Sequence, residues 1–269
     1  MTQLLEVVRF PSVHELPSQH GRLTTFLDPA LRHNYLQFMT GAEGLRDVHE
    51  DINAAYCPIS LTLTPPELKP VLKHRQEVLT YVLHEAGITG YNPETAPYSP
   101  DTNLTSQPNE VYAVDSGKIL GARFFTGHHL LPSSGYGVES QKATEFNRIA
   151  VVLMDKHLRI SRMQPHRTIY LEYEDFERQK HDFIEVFKFL KQFEPGMGFN
   201  GRLPVLLGFP IIDGTVTNEP VDLEETVYQQ FPQLQYKYNG EIPIVQLRAE
   251  NPQIFYEKGG QKATLVDKE

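Results

Sequence analysis

Residues 131–155 read LPSSGYGVESQKATEFNRIAVVLMD, a turn, a helix-compatible run and a strand candidate in succession. It opens on a small-residue turn, Ser133-Ser134-Gly135-Tyr136-Gly137, and continues in a helix-compatible run that carries Glu139 in its first turn. It ends in the most apolar strand candidate of the chain, residues 149–154, closed by Asp155. Glycines at such a turn let backbone N–H groups approach a ligand closely, and a helix start favours negative charge. A glutamate there is either a helix-terminal charge, stabilised by the macrodipole, or a reagent.

Working outward, helices and strands alternate. Residues 59–64, ISLTLT, alternate apolar and polar with a β-branched bias, which predicts a strand. Pro65-Pro66-Glu67 suits a helix entry; Leu68, Val71, Leu72, Leu79, Val82 and Leu83 share one helical face, and Gly87 is a natural stop. Residues 88–92 predict a second strand, 93–108 a polar, proline-rich loop too long for a simple connection, 110–120 a helix containing Asp115, and 122–126 a third strand. Beyond the central stretch come a strand at 168–173 and a helix over 175–193, with Phe176, Phe183, Val186, Phe187 and Leu190 on one stripe. This order predicts an α/β fold: a doubly wound, mostly parallel five-stranded sheet of Rossmann or flavodoxin type. Ligands of such sheets sit beyond the carboxyl ends of the strands, where the loops after Thr64, Asn92 and Thr126 fall. The expected organisation is an N-terminal extension (1–55), the α/β domain (56–193) and a C-terminal extension packed on the core (194–269). A strand at 4–10, helices at 29–39 and 42–55, and an extra strand at 242–247 are expected in the two extensions, which hold no chemical motif.

The totals exclude several classes. A net charge of −9 and a pI near 5.7 argue against a nucleic-acid binder, which needs a basic face. The single cysteine, Cys57, allows no internal disulfide and points to a reducing compartment. The first residues, MTQLLEVVRFPS, lack the pattern of a secretory signal, and the longest apolar run is far too short to span a membrane. A soluble, cytoplasmic protein with no membrane partner is expected.

The order strand, helix, strand, Asp-bearing helix, strand, Gly-rich turn with glutamate, apolar strand resembles the nucleoside 2-deoxyribosyltransferase superfamily. The motif Ser133-Ser134-Gly135-Tyr136-Gly137-Val138-Glu139 occupies the place of the family's nucleophilic glutamate, and the run from Arg148 to Leu153 that of its buried strand. Asp115 matches the family's aspartate on the preceding helix. The resemblance covers residues 56–175. Two departures are visible: the family's aspartate six residues before the nucleophile is Ser133 here, and Leu63-Thr64-Pro65-Pro66 replaces a Gly-containing turn that in some members holds an active-site tyrosine.

The resemblance implies cleavage or transfer of the N-glycosidic bond of a nucleoside or nucleotide. A carboxylate attacks the anomeric carbon, a second group protonates the leaving base, and another base or water resolves the glycosyl-enzyme. It assigns Glu139 as nucleophile and Asp115 as acid or base, with His128 or His129 as alternatives for the proton. Ser133, Ser134, Gly135, Tyr136, Gly137, Tyr91 and His128 become candidate substrate contacts. The chemistry requires no organic cofactor, and family members commonly form homo-oligomers with shared sites. The alternatives are a catalytically degenerate nucleotide sensor of the same fold and a partner-binding protein.

Other features carry blander readings. Adjacent His128 and His129 point to opposite faces of a strand and lack a completing ligand, so no metal site is expected. Ser133 and Ser134 lack the strand–GxSxG–helix setting of a hydrolase nucleophile. Cys57 reads as a small buried residue, and Pro195-Gly196-Met197-Gly198-Phe199-Asn200-Gly201 as a turn ending a helix. The basic cluster Lys156, His157, Arg159, Arg162, His166 and Arg167 reads as a solvated loop at the ligand edge, with phosphate or carboxylate binding as the alternative.

Overall fold

The structure is a computed structural model, and it describes residues 23–25, 50–60, 64–95, 108–130, 133–156, 165–200, 203–237, 254–256 and 263–265. The first strand, β1 (Leu23–Thr25), belongs to a second sheet. The main sheet consists of β2 (Asp51–Tyr56), β3 (Thr89–Tyr91), β4 (Ala122–His128), β5 (Ile149–Asp155) and β6 (Thr168–Tyr173), in the order β3-β2-β4-β5-β6. Every pairing in it is parallel. This is a doubly wound α/β sheet with a flavodoxin-like strand order.

Four helices cover its two faces: α1 (Lys69–Glu85), α2 (Pro108–Gly121), α3 (Ser134–Glu145) and α4 (Lys180–Leu190). Strand alternation sorts the core. Ala55, Phe124, Val151, Leu153 and Leu171 meet Leu79, Leu83, Phe183 and Phe187 of α1 and α4 on one face. Tyr56, Phe125 and Ala150 meet Ile119, Tyr136, Ala143 and Phe146 of α2 and α3 on the other. No helix among the described residues is long and apolar enough to cross a membrane.

The second sheet is antiparallel. Its strands are β1, β7 (Phe193–Asn200), β8 (Leu203–Ile212) and β10 (Val221–Asp222), with β9 (Thr215–Val216) turning back on β8. Helix α5 (Leu223–Gln230) follows, and Leu206, Leu223, Val227 and Leu234 join the larger core. A further hairpin pairs β11 (Ile254–Tyr256) with β12 (Ala263–Leu265).

Three sequence expectations need correction. The first strand of the main sheet is Asp51–Tyr56, inside the span read as a helix, while 59–60 and 64 have no regular structure. Asp51, Ile52 and Asn53 are exposed, so β2 displays its apolar signature only from Ala54 onward. The last helix is shorter than 175–193, because residues 176–179 form a turn before it. The glycine-rich run at 195–201 is no turn, since residues 195–200 lie in β7, paired register by register with β8. A Cβ on Gly196 would sit 2.4 Å from the Phe209 ring, so glycine there makes room for a cross-strand aromatic. The expected elements at 4–10, 29–39 and 242–247 lie outside the described residues, as do 42–49 and 61–63.

Candidate active site

The chain leaves β2 for β3 on one side and returns to place β4 on the other. The carboxyl ends of β2 and β4 therefore flank the switch point where doubly wound sheets bind ligands. Tyr56 is the last residue of β2 and is fully buried toward the α2/α3 face. Its hydroxyl donates to Glu139 Oε1 at 2.9 Å. Asp115 of α2 faces the same hydroxyl and interacts electrostatically with Glu139. Two carboxyls and a phenol from three separate elements thus converge.

Helix α3 begins at Ser134, and Ser133 is its N-cap, accepting from the Tyr136 amide at 3.3 Å. Glu139 lies beyond the first turn, which holds no acidic residue. The helix-terminal reading of Glu139 therefore fails, because Ser133 performs the capping and Glu139 points inward to Tyr56. Gly135 and Gly137 lie within α3, and the Gly137 amide bonds to the Ser133 carbonyl; neither glycine forms a ligand-cradling turn.

Burial dominates the electrostatics. It pushes the Glu139 carboxyl up to about 8, with Asp115 adding to the rise and the Tyr56 hydrogen bond opposing it. Burial raises Asp115 as well, again opposed by Tyr56. Burial and both carboxyls hold the Tyr56 hydroxyl far above its ordinary range, so it remains a donor. Both carboxyls therefore favour their protonated forms more than free carboxyls do, and they titrate as a pair.

Aromatic rings wall the site. Tyr56 lies 5.6 Å from Tyr91 and stacks on Phe125 at 6.0 Å, while Lys118 Nζ of α2 stands 5.1 Å above the Tyr91 ring. Tyr91 is thus at the site, already flanked by a phenol and a cation. Tyr136 is buried; its hydroxyl donates to the Gly127 carbonyl at 3.2 Å, so it is no substrate contact in this arrangement. Ser134 is exposed at the start of α3.

His128 lies elsewhere. Strand parity places it with Phe124 on the α1/α4 face, where its Nδ1 is 3.0 Å from the Tyr173 hydroxyl and its ring packs 4.5 Å from Phe176. Arg75 of α1 donates to Tyr173 and to Asp155, the latter at 3.0 Å, completing a buried network across the sheet from Glu139. His129 is on the Glu139 side, edge-on to Tyr136 at 5.3 Å, and burial lowers its imidazole to about 4. It is neutral at pH 7. Within the basic cluster, Lys156 pairs with Glu174 at 2.6 Å and Arg167 donates to Met197 Sδ at 3.0 Å; residues 157–164 lie outside the described residues.

Tyr56 is not among the residues expected at the site, because the strand lies at 51–56, eight residues before the patterned run at 59–64. The strand ends at Tyr56, whose hydroxyl contacts the glutamate, and not at residues 63–66. The tip of β2 is also packed tightly against β4, since a Cβ on Gly127 would lie 2.8 Å from the Pro58 carbonyl oxygen. Gly127→Ala is expected to destabilise the protein by about 1–3 kcal/mol, read as a lower urea midpoint; an unchanged midpoint would show that the two tips separate freely.

No protein-family model matches the sequence, and no curated protein does. Among solved structures the chain bears a distant likeness to the CMP N-glycosidase BcmB of Clostridium botulinum, at TM-score 0.35 and 14% identity, over 51% of this chain and 98% of that one.

Proposed function

We propose that the protein cleaves or transfers the N-glycosidic bond of a nucleoside- or nucleotide-like molecule. The observation that carries this reading is the partly buried Tyr56–Glu139 hydrogen bond with Asp115 on the same hydroxyl, at the switch point of the sheet. Paired carboxyls of raised pKa supply one nucleophile and one proton. The reactive form is the one in which the pair's single proton has moved to Asp115: an oxygen of the ionised Glu139 then bonds to the anomeric carbon as the carbon–nitrogen bond breaks. The bond's electrons leave with the base, which takes the proton of Asp115. Water or a second base then attacks the same carbon, gives its proton to Asp115 and releases Glu139. Tyr56 holds one carboxylate oxygen and leaves the other for the sugar.

This scheme fixes a pH dependence. Activity requires the pair to hold one proton, so it falls in acid as a second proton binds and falls in alkali as the last is lost. The alkaline limb belongs near 8, from the upper value of the pair. Tyr56→Phe removes the bond that favours ionised Glu139; turnover should fall by about 10- to 100-fold and the alkaline limb should move to higher pH. A pH-rate profile of the two proteins checks both. An unshifted limb would detach Tyr56 from Glu139.

The reading is tested by incubating the protein with nucleosides, deoxynucleosides and their monophosphates and detecting free base by mass spectrometry. Release from one or more of them supports it. No release from any of the panel contradicts it and favours a sensor.

A further inference from the structure

We infer that Tyr136 is a positioning residue, whose hydroxyl ties the start of α3 to the tip of β4 and so holds Glu139 within reach of Tyr56. This rests on the reading of Glu139 above. Tyr136 and Glu139 are three residues apart in α3, on one helical face. The Tyr136 hydroxyl donates to the Gly127 carbonyl at 3.2 Å, deep in the protein. Its ring meets Phe125 edge-on at 6.0 Å, and Phe125 stacks on Tyr56 at 6.0 Å. Tyr136 therefore touches the acceptor strand, the ring behind Tyr56 and the helix that carries Glu139.

Near the start of α3 the Tyr136 hydroxyl supplies a side-chain hydrogen bond from the helix to the sheet. The N-cap bond from the Tyr136 amide to Ser133 lies within the helix terminus and sets no distance to the sheet. Gly135 and Gly137 give the first turn no bulk: a Cβ on Gly137 would meet nothing within 4 Å, and one on Gly135 only the Ser133 hydroxyl at 3.7 Å. A tyrosine between two glycines, with its hydroxyl used by a backbone oxygen, is suited to anchoring the helix. The 2.9 Å bond from Tyr56 to Glu139 depends on where that helix sits.

The test follows the Glu139 carboxyl directly, by carbon NMR titration of protein labelled at the glutamate carboxyl, with Glu139→Gln identifying the signal. It uses wild type, Tyr56→Phe, Tyr136→Phe and the double variant. The groups interacting with Glu139 are Tyr56 of β2 and Asp115 of α2, both unchanged in Tyr136→Phe, and the uncharged Tyr136 hydroxyl of α3 itself. Tyr136→Phe keeps the ring against Phe125 and should move the Glu139 midpoint upward, in the same direction as Tyr56→Phe. The double variant should match Tyr56→Phe, because both changes act through one bond. An unmoved midpoint, or shifts that add, would overturn the proposal. In the wild type the Tyr136 hydroxyl proton should exchange slowly enough to be seen; rapid exchange would overturn the proposal without any variant. Where a substrate is turned over, Tyr136→Phe should lower kcat about tenfold at constant KM. Failure of all nucleosides to react leaves the titration result standing, so the two readings fail separately.

Discussion

Glu139→Gln is expected to abolish base release and to make the protein more stable at pH 8. The two effects share one cause. Glutamine keeps an acceptor for the Tyr56 hydroxyl and nearly the same volume, but it cannot attack carbon and it never ionises. In the folded wild type the carboxyl loses its proton only near 8, whereas the unfolded chain ionises it in the ordinary carboxyl range. A group whose folded pKa is raised contributes most stability below its unfolded pKa and loses it as pH rises through the folded pKa. Wild-type stability therefore declines between the ordinary carboxyl range and pH 8, and the glutamine variant lacks that component of the decline. The gap at pH 8 should be on the order of 2–4 kcal/mol, seen as a rise of several degrees in Tm, and should close toward pH 4. Equal stability at both pH values would mean that Glu139 is not held in the surroundings described. A destabilised variant would mark it as a structural residue.

The largest loss of stability is expected from Glu50→Ala. Glu50 immediately precedes β2 and accepts from two buried arginines: Arg123 Nε at 2.7 Å and Arg148 Nη1. The arginine side chains are only 6% and 2% exposed, so neither can turn to water when the carboxylate is removed. Arg148 also donates to the carbonyls of Ala122 at 3.0 Å and Phe146 at 2.8 Å, and Arg123 pairs with Glu194 of β7 at 2.8 Å. This cluster joins the amino ends of β2 and β4 to the second sheet. Removing the shared carboxylate takes one ion-pair partner from each of two buried arginines, with Arg123 keeping Glu194, a loss of about 3–5 kcal/mol by the urea midpoint. Glu194→Ala should cost less, because Arg123 retains Glu50. Equal losses would place the two glutamates on the same footing and remove Glu50 from the centre of the cluster.

Much of the α/β sheet could be read from the sequence, for identifiable reasons. Strands β4, β5 and β6 are buried along most or all of their length, and helix α1 has a clear apolar face, so local pattern and tertiary burial agree. Strand β2 violates that agreement: three of its six residues are exposed, while the better-patterned ISLTLT run downstream has no strand at its described ends. That error hid Tyr56 and, with it, the hydrogen bond that defines the candidate site. The second sheet was read as a tail because Pro195, Gly196, Gly198, Gly208 and Pro210 resemble loop punctuation. In the fold, Gly208 makes room for Leu223 and Phe193, as Gly196 does for Phe209. Such glycines report packing between elements distant in sequence, which no local window contains. His128 shows the converse. Its parity with Phe124 on β4 already places it opposite Phe125, and so away from the Glu139 face.

Attachment of a sugar to Glu139 is the most direct mark of the proposed chemistry. Protein quenched in acid during turnover of a reactive nucleoside or nucleotide, digested and analysed by mass spectrometry, should yield the peptide containing Glu139 heavier by one glycosyl group. The Glu139→Gln protein should yield neither the heavier peptide nor free base. Undiminished base release by Glu139→Gln would contradict the account and place the chemistry on another residue.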